Sequence, residues 1–195
     1  MRSHDLKRAK RDVRREILAR RDALDAVTIE AAGEAVAERV LATEVIAPGA
    51  VVLVYWSFGS ELPTSPLRRR LREAGATVAL PRIDGDRLRT IVFDEGDPMT
   101  ATSFGAMEPT GGDEVAPGDL ALIATPAVAF DLAGRRIGYG GGFYDRLFPL
   151  AATARRVGVA HDVQVVEGPL PAGHFDLRVQ AVCTPTRTIA CGAPT

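Results

Sequence analysis

The chain has 195 residues, 46% of them hydrophobic, which is enough to bury a substantial core, and residues 1–195 fit one folding unit better than two. Its 24 Lys and Arg stand against 25 Asp and Glu, a formal net charge of −1, so no global field directs it to nucleic acid or a membrane surface, and the expected partner of what should be a monomer is a small molecule. Two cysteines without C-x-x-C spacing and three scattered histidines argue against a disulfide scaffold or a zinc site; with no apolar run near the roughly 20 residues that span a bilayer and no signal-peptide pattern, a reducing cytoplasm is expected.

From Leu6 to Leu24 the apolar Leu6, Val13, Ile17 and Leu24 recur at helical intervals among many basic residues, predicting an amphipathic helix with a narrow apolar stripe. A second helix is expected from Thr28, read as its N-cap, through Ile29, Ala32, Val36 and Val40, ending before Pro48-Gly49. The run Ala50 to Tyr55 is apolar on both faces, as a central parallel strand covered by helices would be. Thr64 is the expected cap of a third helix, with Pro66 in its first turn and Leu67, Leu71 and Ala74 facing inward. Strands follow at Thr77 to Leu80, Asp119 to Thr125, Arg156 to Ala160 and Val179 to Thr184, while Arg82 to Asp97 reads as a further strand or a hairpin. The repetition of strand, helix and strand predicts an α/β fold: a mostly parallel open sheet with helices on both faces, a Rossmann-like three-layer arrangement with ligands at the carboxyl ends of the strands.

The segment Arg136-Ile137-Gly138-Tyr139-Gly140-Gly141-Gly142-Phe143-Tyr144-Asp145 is the most informative stretch. Four glycines within five positions let the backbone approach a ligand and turn N–H groups toward phosphate oxygens. A helix expected near Phe143 would add its positive end, Arg136 a fixed cation, and Asp145 an acceptor for magnesium shared with the phosphates. The pattern is neither G-x-x-x-x-G-K-[ST] nor a G-x-G-x-x-G after a strand, so the common nucleotide fingerprints do not apply. On glycine chemistry alone, a tight turn that merely permits close packing is the competing reading.

Together with Phe130-Asp131, this segment resembles the signature of the 5-formyltetrahydrofolate cyclo-ligase family, an aromatic-Asp pair followed by R-[LI]-G-x-G-x-G-[YF]-Y-D. Lys10-Arg11-x-x-Arg14, Ser60-Glu61-Leu62-x-Thr64, Met107-Glu108-Pro109, and Ala160-x-x-x-Gln164 followed by Leu170-Pro171 resemble the family's other motifs, in the same order. The resemblance implies that ATP phosphates are held by Lys10, Arg14, Arg136 and the run Ile137, Gly138, Tyr139, Gly140, Gly141, Gly142, Phe143 and Tyr144. It assigns Arg136 and Tyr144 to catalysis, Asp145 and Asp176 to Mg2+, and Trp56, Glu61 and Tyr139 to the folate pocket. Phe175 and Gln180 stand where many members carry a histidine and a second acid, a departure that touches the metal role of Asp176 and not that of Asp145; Gly141 stands where some carry a lysine, so one phosphate contact is expected from the main chain or another side chain.

The implied reaction is the ATP-dependent cyclisation of 5-formyltetrahydrofolate to 5,10-methenyltetrahydrofolate through an iminium phosphate, releasing ADP and phosphate. An ATP- or phosphate-binding α/β enzyme acting on another formyl or phosphorylated substrate is the alternative, because fold alone does not fix function. Without the resemblance, the nine Lys and Arg between Arg2 and Arg21 read as a solvated helix face, and Trp56 as a packing residue. Asp176 reads as a turn residue, Glu61 as facing a helix dipole, and His161 and His174 as surface or satisfied histidines.

Overall fold

In the computed structural model, which describes residues 3–102 and 105–192, the chain begins with helices α1 (Ser3–Asp22) and α2 (Ala26–Thr43) before strand β1 (Val51–Leu53). Helix α3 (Ser65–Glu73) leads to the hairpin β2 (Thr77–Asp84) and β3 (Arg87–Val92), then to a second hairpin, β4 (Met99–Ala101) and β5 (Met107–Pro109). Next come β6 (Leu120–Thr125), β7 (Ala129–Asp131), β8 (Arg136–Ile137) and the short helix α4 (Phe143–Leu147). Strands β9 (Arg155–Val159), β10 (Val165–Val166), β11 (Ala181–Cys183) and β12 (Thr188–Ala190) complete the described chain.

Seven strands form the main sheet in the order β12-β11-β9-β6-β1-β2-β3. The five inner strands are mutually parallel, and the two edges, β3 and β12, pair antiparallel. Parallel strands need both faces covered, and alternation along each strand supplies two apolar faces. Val52, Val54, Leu122 and Val157 pack with Val36 and Val40 of α2 and Leu67 and Leu71 of α3. Leu53, Ala79, Ile123 and Val182 pack on the opposite face with Leu147, Phe148, Ala151 and Ala154 of α4 and the turns after it. The second face is covered by one short helix, compact turns and the fully buried Phe130 of β7, with Val165 of β10 packed against them.

Beside this sheet, β10-β7-β8 forms a three-stranded sheet. Ile17 of α1 is 1% exposed and packs with Val128, Ala129, Ile137 and Leu170. Burying that side chain contributes about 2 kcal/mol, and it holds α1 against the strand that precedes the glycine-rich loop.

Several local expectations shift. Asp25, not Thr28, is the N-cap of α2, and its carboxylate accepts the Thr28 N–H at 2.8 Å and the Thr28 hydroxyl at 3.0 Å. A charged acceptor before the first turn satisfies free N–H groups and faces the positive helix end, so the cap lies three residues earlier. Thr64 stands at the N-cap position of α3 without capping it: its hydroxyl donates to the Tyr55 carbonyl at 2.7 Å and accepts from Arg68 at 3.0 Å. Arg82 to Asp97 resolves into the second half of the β2–β3 hairpin and its exit turn, with φ of +61° at Gly85 in the connection.

Candidate functional site

Strands β1 and β6 end at one side of the sheet, and the residues after them, Tyr55, Trp56 and Pro126, line a cavity of about 540 Å³. That volume is in the range of small-molecule sites. Lys10, Arg14, Trp56, Glu61, every residue from Arg136 to Asp145, and Asp176 all border it, so residues separated by up to 166 positions in the chain meet at one place. Pro81, Ile83, Leu88 and Met107 give the cavity an apolar wall, and Glu108 from β5 lies at its border.

Asp131 builds the turn that delivers the loop. Its buried carboxylate accepts the N–H groups of Ala133 and Arg135 at 2.9 Å each and of Leu170 at 3.0 Å, and pairs with the Arg135 guanidinium at 3.1 Å. Gly140 and Gly142 then take φ of +115° and +68°, conformations open mainly to glycine. The N–H groups of residues 138 to 142 donate to no acceptor among the described residues. Helix α4 has only five residues, so these oriented N–H groups, more than a long helix dipole, are what the loop presents.

Arg136 is buried, stacked 4.9 Å over Phe148 and 5.9 Å over Tyr144, with its Nη2 2.7 Å from Asp145 Oδ1. Burial pulls its pKa down and Asp145 opposes that pull. The Arg136 Nε and the Tyr144 hydroxyl are buried without a hydrogen-bond partner. Unpaired buried donors call for an acceptor, and together with the free loop N–H groups they suit a polyanion such as the phosphates of ATP. Burial also pushes the Tyr144 phenol well above its ordinary pKa, with Glu61 adding to the shift, so it remains a donor.

Lys10 Nζ lies 2.5 Å from Asp176 Oδ2, and the Arg14 Nε donates to the Gly138 carbonyl at 2.6 Å. Asp145 Oδ1 also accepts the Leu177 N–H at 3.0 Å, and Asp176 Oδ2 the Gly173 N–H at 2.5 Å. The other oxygen of each carboxylate has no partner among the described residues. No group of three or more His, Cys, Asp or Glu suited to a metal occurs among the described residues. Two carboxylate oxygens with phosphates and waters completing the shell is the arrangement magnesium commonly takes.

On the other side of the cavity, Trp56 is fixed by Arg68, whose guanidinium lies 4.2 Å over its ring, and by an edge contact with Phe93 at 5.8 Å. Glu61 is 6% exposed, and the hydrogen-bond partners of its carboxylate lie outside α3. Its Oε2 accepts the Phe58 N–H at 3.2 Å and its Oε1 the Tyr139 hydroxyl at 3.1 Å. Burial pushes the Glu61 pKa up, against the Phe58 N–H, the Arg21 charge and the Tyr139 hydroxyl. Tyr139, half-exposed, is pushed up to about 12 by burial and by Glu61.

Arg21, which sequence reasoning passed over, and His161, read as a surface or satisfied histidine, belong to this end. Arg21 is buried and donates to Tyr139 at 2.9 Å and Ser60 at 3.0 Å. Lys10, Arg14, Ile17 and Arg21 are spaced four, three and four apart, which is one face of a helix, so the stripe was present in the sequence. His161 is not on the surface: it is 2% exposed, its ring lies against the backbone of Ser60 and Glu61, and its Nε2 has no hydrogen-bond partner among the described residues. His174 is exposed, as is Phe175, and Gln180 serves the sheet by accepting the Arg156 N–H at 2.8 Å.

A sequence model of the 5-formyltetrahydrofolate cyclo-ligase family matches residues 6–185. A relative from Escherichia coli named 5-formyltetrahydrofolate cyclo-ligase is 34% identical over 178 residues, 88% of this chain and 97% of its own. One of the same name from Mycolicibacterium smegmatis is 33% identical over 193 residues, 93% of this chain and 96% of its own. The NMR structure of Aquifex aeolicus 5,10-methenyltetrahydrofolate synthetase matches with a TM-score of 0.81 at 29% identity, covering 95% of this chain and 94% of that one. With the glycine-rich signature at its cavity and this extent of similarity, the chain belongs to the 5-formyltetrahydrofolate cyclo-ligase family.

Proposed function

We propose that the cavity is the active site in which this chain, a ligase forming a carbon–nitrogen bond, cyclises 5-formyltetrahydrofolate to 5,10-methenyltetrahydrofolate with ATP and Mg2+, releasing ADP and phosphate. The observation that carries the assignment is the convergence of Lys10, Arg14, Glu61, Asp176 and the whole run from Arg136 to Asp145 around one cavity.

The formyl oxygen is a poor leaving group, and its phosphorylation by ATP, giving an iminium phosphate open to attack by the nearby secondary amine of the folate, answers that difficulty. The protein needs no nucleophile for this scheme. It must hold two ligands in line and neutralise charge moving between phosphate oxygens. The N–H groups of residues 138 to 142, the Arg136 guanidinium and the Tyr144 hydroxyl supply donors toward the phosphates. Lys10 and Arg14 add positive charge from α1, while the free oxygens of Asp145 and Asp176 would hold magnesium. Trp56 and Tyr139 flank the flat rings of the folate, and Glu61 accepts hydrogen bonds from it.

No helix among the described residues is long and apolar enough to cross a membrane, and both cysteines are free. A monomer in the reducing cytoplasm is the proposed setting.

Absorbance of the methenyl product, followed with purified protein, 5-formyltetrahydrofolate, ATP and magnesium, tests the assignment. Product that requires all three is the expected result. Absence of product from folded protein that binds ATP would transfer the reading to another substrate. Arg136→Ala should lower kcat by about 100-fold or more, because a buried charge aimed at the phosphates is lost. An unchanged rate would remove Arg136 from the catalytic set.

A further inference from the structure

Arg21 has no place in any of the motifs, yet it is buried at the end of the α1 stripe and tied into the folate side of the cavity. A guanidinium has five donors and no acceptor. Its Nη2 therefore occupies a lone pair of the Tyr139 oxygen at 2.9 Å, and the phenol's single hydrogen must go elsewhere. Glu61 Oε1, 3.1 Å away, takes it. The Phe58 N–H, which also only donates, occupies Oε2 at 3.2 Å. Arg21 is itself fixed: its Nε donates to Ser60 Oγ at 3.0 Å, and Ser60 donates in turn to Asp22.

We infer that Arg21 is a positioning residue that fixes the direction of the hydrogen bonds at Glu61, so that Glu61 meets the ligand only as an acceptor and selects a folate edge carrying N–H donors. The inference rests on the cavity being the folate site. Without Arg21 the Tyr139 hydroxyl is free to turn away from Glu61, and a buried carboxyl with weaker partners takes up a proton and becomes a donor.

The titratable and charged groups that face Glu61 are Arg21 from α1, Tyr55 beyond β1, Tyr139 from the glycine-rich loop, Tyr144 from α4, and His161 beside the Glu61 backbone. Burial already raises Glu61, and Arg21 is among the groups that hold it down. Ligand recognition needs the ionised form, so activity is lost as pH falls through the folded-state pKa. Removing Arg21 moves that loss to higher pH.

The test is kcat/KM for 5-formyltetrahydrofolate across pH in wild type, Arg21→Met, Tyr139→Phe and the double variant. Arg21→Met is expected to lower kcat/KM about tenfold and to move the acidic limb up by about one pH unit. The double variant should be no worse than Tyr139→Phe alone, because both changes break the same chain of bonds. An acidic limb that stays in place, or losses that multiply, overturns the inference. Arg21→Lys, which keeps the charge but not the two-point fork, should shift the limb by less and replaces Arg21→Met if that variant does not fold. Failure of wild type to make product would count against the proposed function. Titration of the same ligand at each pH by fluorescence of Trp56, the chain's single tryptophan, would then decide the role of Arg21 by itself: Kd shifted to higher pH in the variant supports it, and an unshifted Kd overturns it.

Discussion

Tyr144 illustrates how a functional residue stands at odds with stability. Its hydroxyl is buried with no partner, in a side chain that otherwise packs edge-on to Phe148 at 6.1 Å. An unsatisfied buried hydroxyl costs about 1–3 kcal/mol, and Phe preserves the ring packing without it. Tyr144→Phe should therefore raise the melting temperature by about 2–4 °C for each kcal/mol recovered, while lowering kcat tenfold or more. The pH dependence gives a second signature. Burial holds the folded phenol's pKa above its unfolded value, so stability is full below about pH 10, where the unfolded phenol ionises, and declines as pH rises through the folded value. The Phe variant should lose that part of the alkaline decline. A melting temperature that falls at neutral pH would mean the hydroxyl has a partner in solution, and an unchanged kcat would mean it does not touch the transferring phosphate.

The elements differ in how far local sequence dictates them. Glycine at two positions separates folding from function. Gly134, in the β7–β8 turn, has φ of +77°, and a Cβ there would lie 2.2 Å from the Val179 carbonyl oxygen, a backbone atom that cannot yield. Gly142 has φ of +68°, but its Cβ would meet only the Arg146 guanidinium at 2.9 Å, the far end of a long side chain and not backbone. Gly134→Ala should thus lose folded protein, whereas Gly142→Ala should fold with a loss of about 1–2 kcal/mol and a raised KM for ATP. Soluble, cooperatively melting Gly134→Ala would refute the distinction. The same comparison explains what was legible. Long apolar runs such as those at Val51 and Leu120 were readable because a strand covered on both faces is continuously apolar, and the helices because one face is buried at a fixed period. Strands β7, β8 and β10, with two or three residues each, lie in stretches for which no strand was expected. Their pairing depends on Asp131 and on partners such as Val165, 35 positions from Phe130, which local pattern cannot reveal. Lys10, Arg14, Trp56, Glu61, Arg136 to Asp145 and Asp176 were named through the resemblance, while the apolar wall of Pro81, Ile83 and Leu88, and Arg21 and His161 beside the cavity, come together only through tertiary contacts.

At the scale of the whole molecule, α1 is attached differently from the rest. Helices α2 and α3 bury continuous apolar faces on the main sheet, but α1 contributes Ile17, with Val13 and Leu18 partly buried, to a small separate cluster. Much of its remaining attachment is polar and made at the cavity: Lys10 to Asp176, Arg14 to Gly138, Arg21 to Tyr139 and Ser60. An element held by few apolar contacts opens at a lower free energy than the core. A ligand that binds only when the cavity is assembled stabilises the closed form by RT ln(1 + [L]/Kd), about 2.7 kcal/mol at a hundredfold excess over Kd. Amide hydrogens of α1 should therefore exchange faster than those of β1 and β6 in the free protein, and should slow by up to about 100-fold when ATP and magnesium are added, with less change in the central strands. Hydrogen exchange read by mass spectrometry on peptides covering residues 4–22 and 120–125 measures this directly. The same protection in Lys10→Ala/Arg14→Ala as in wild type would show that α1 is held by Ile17 and its neighbours alone. Loss of protection in that variant, with Ile17 untouched, is the outcome expected if the nucleotide closes the helix onto the site.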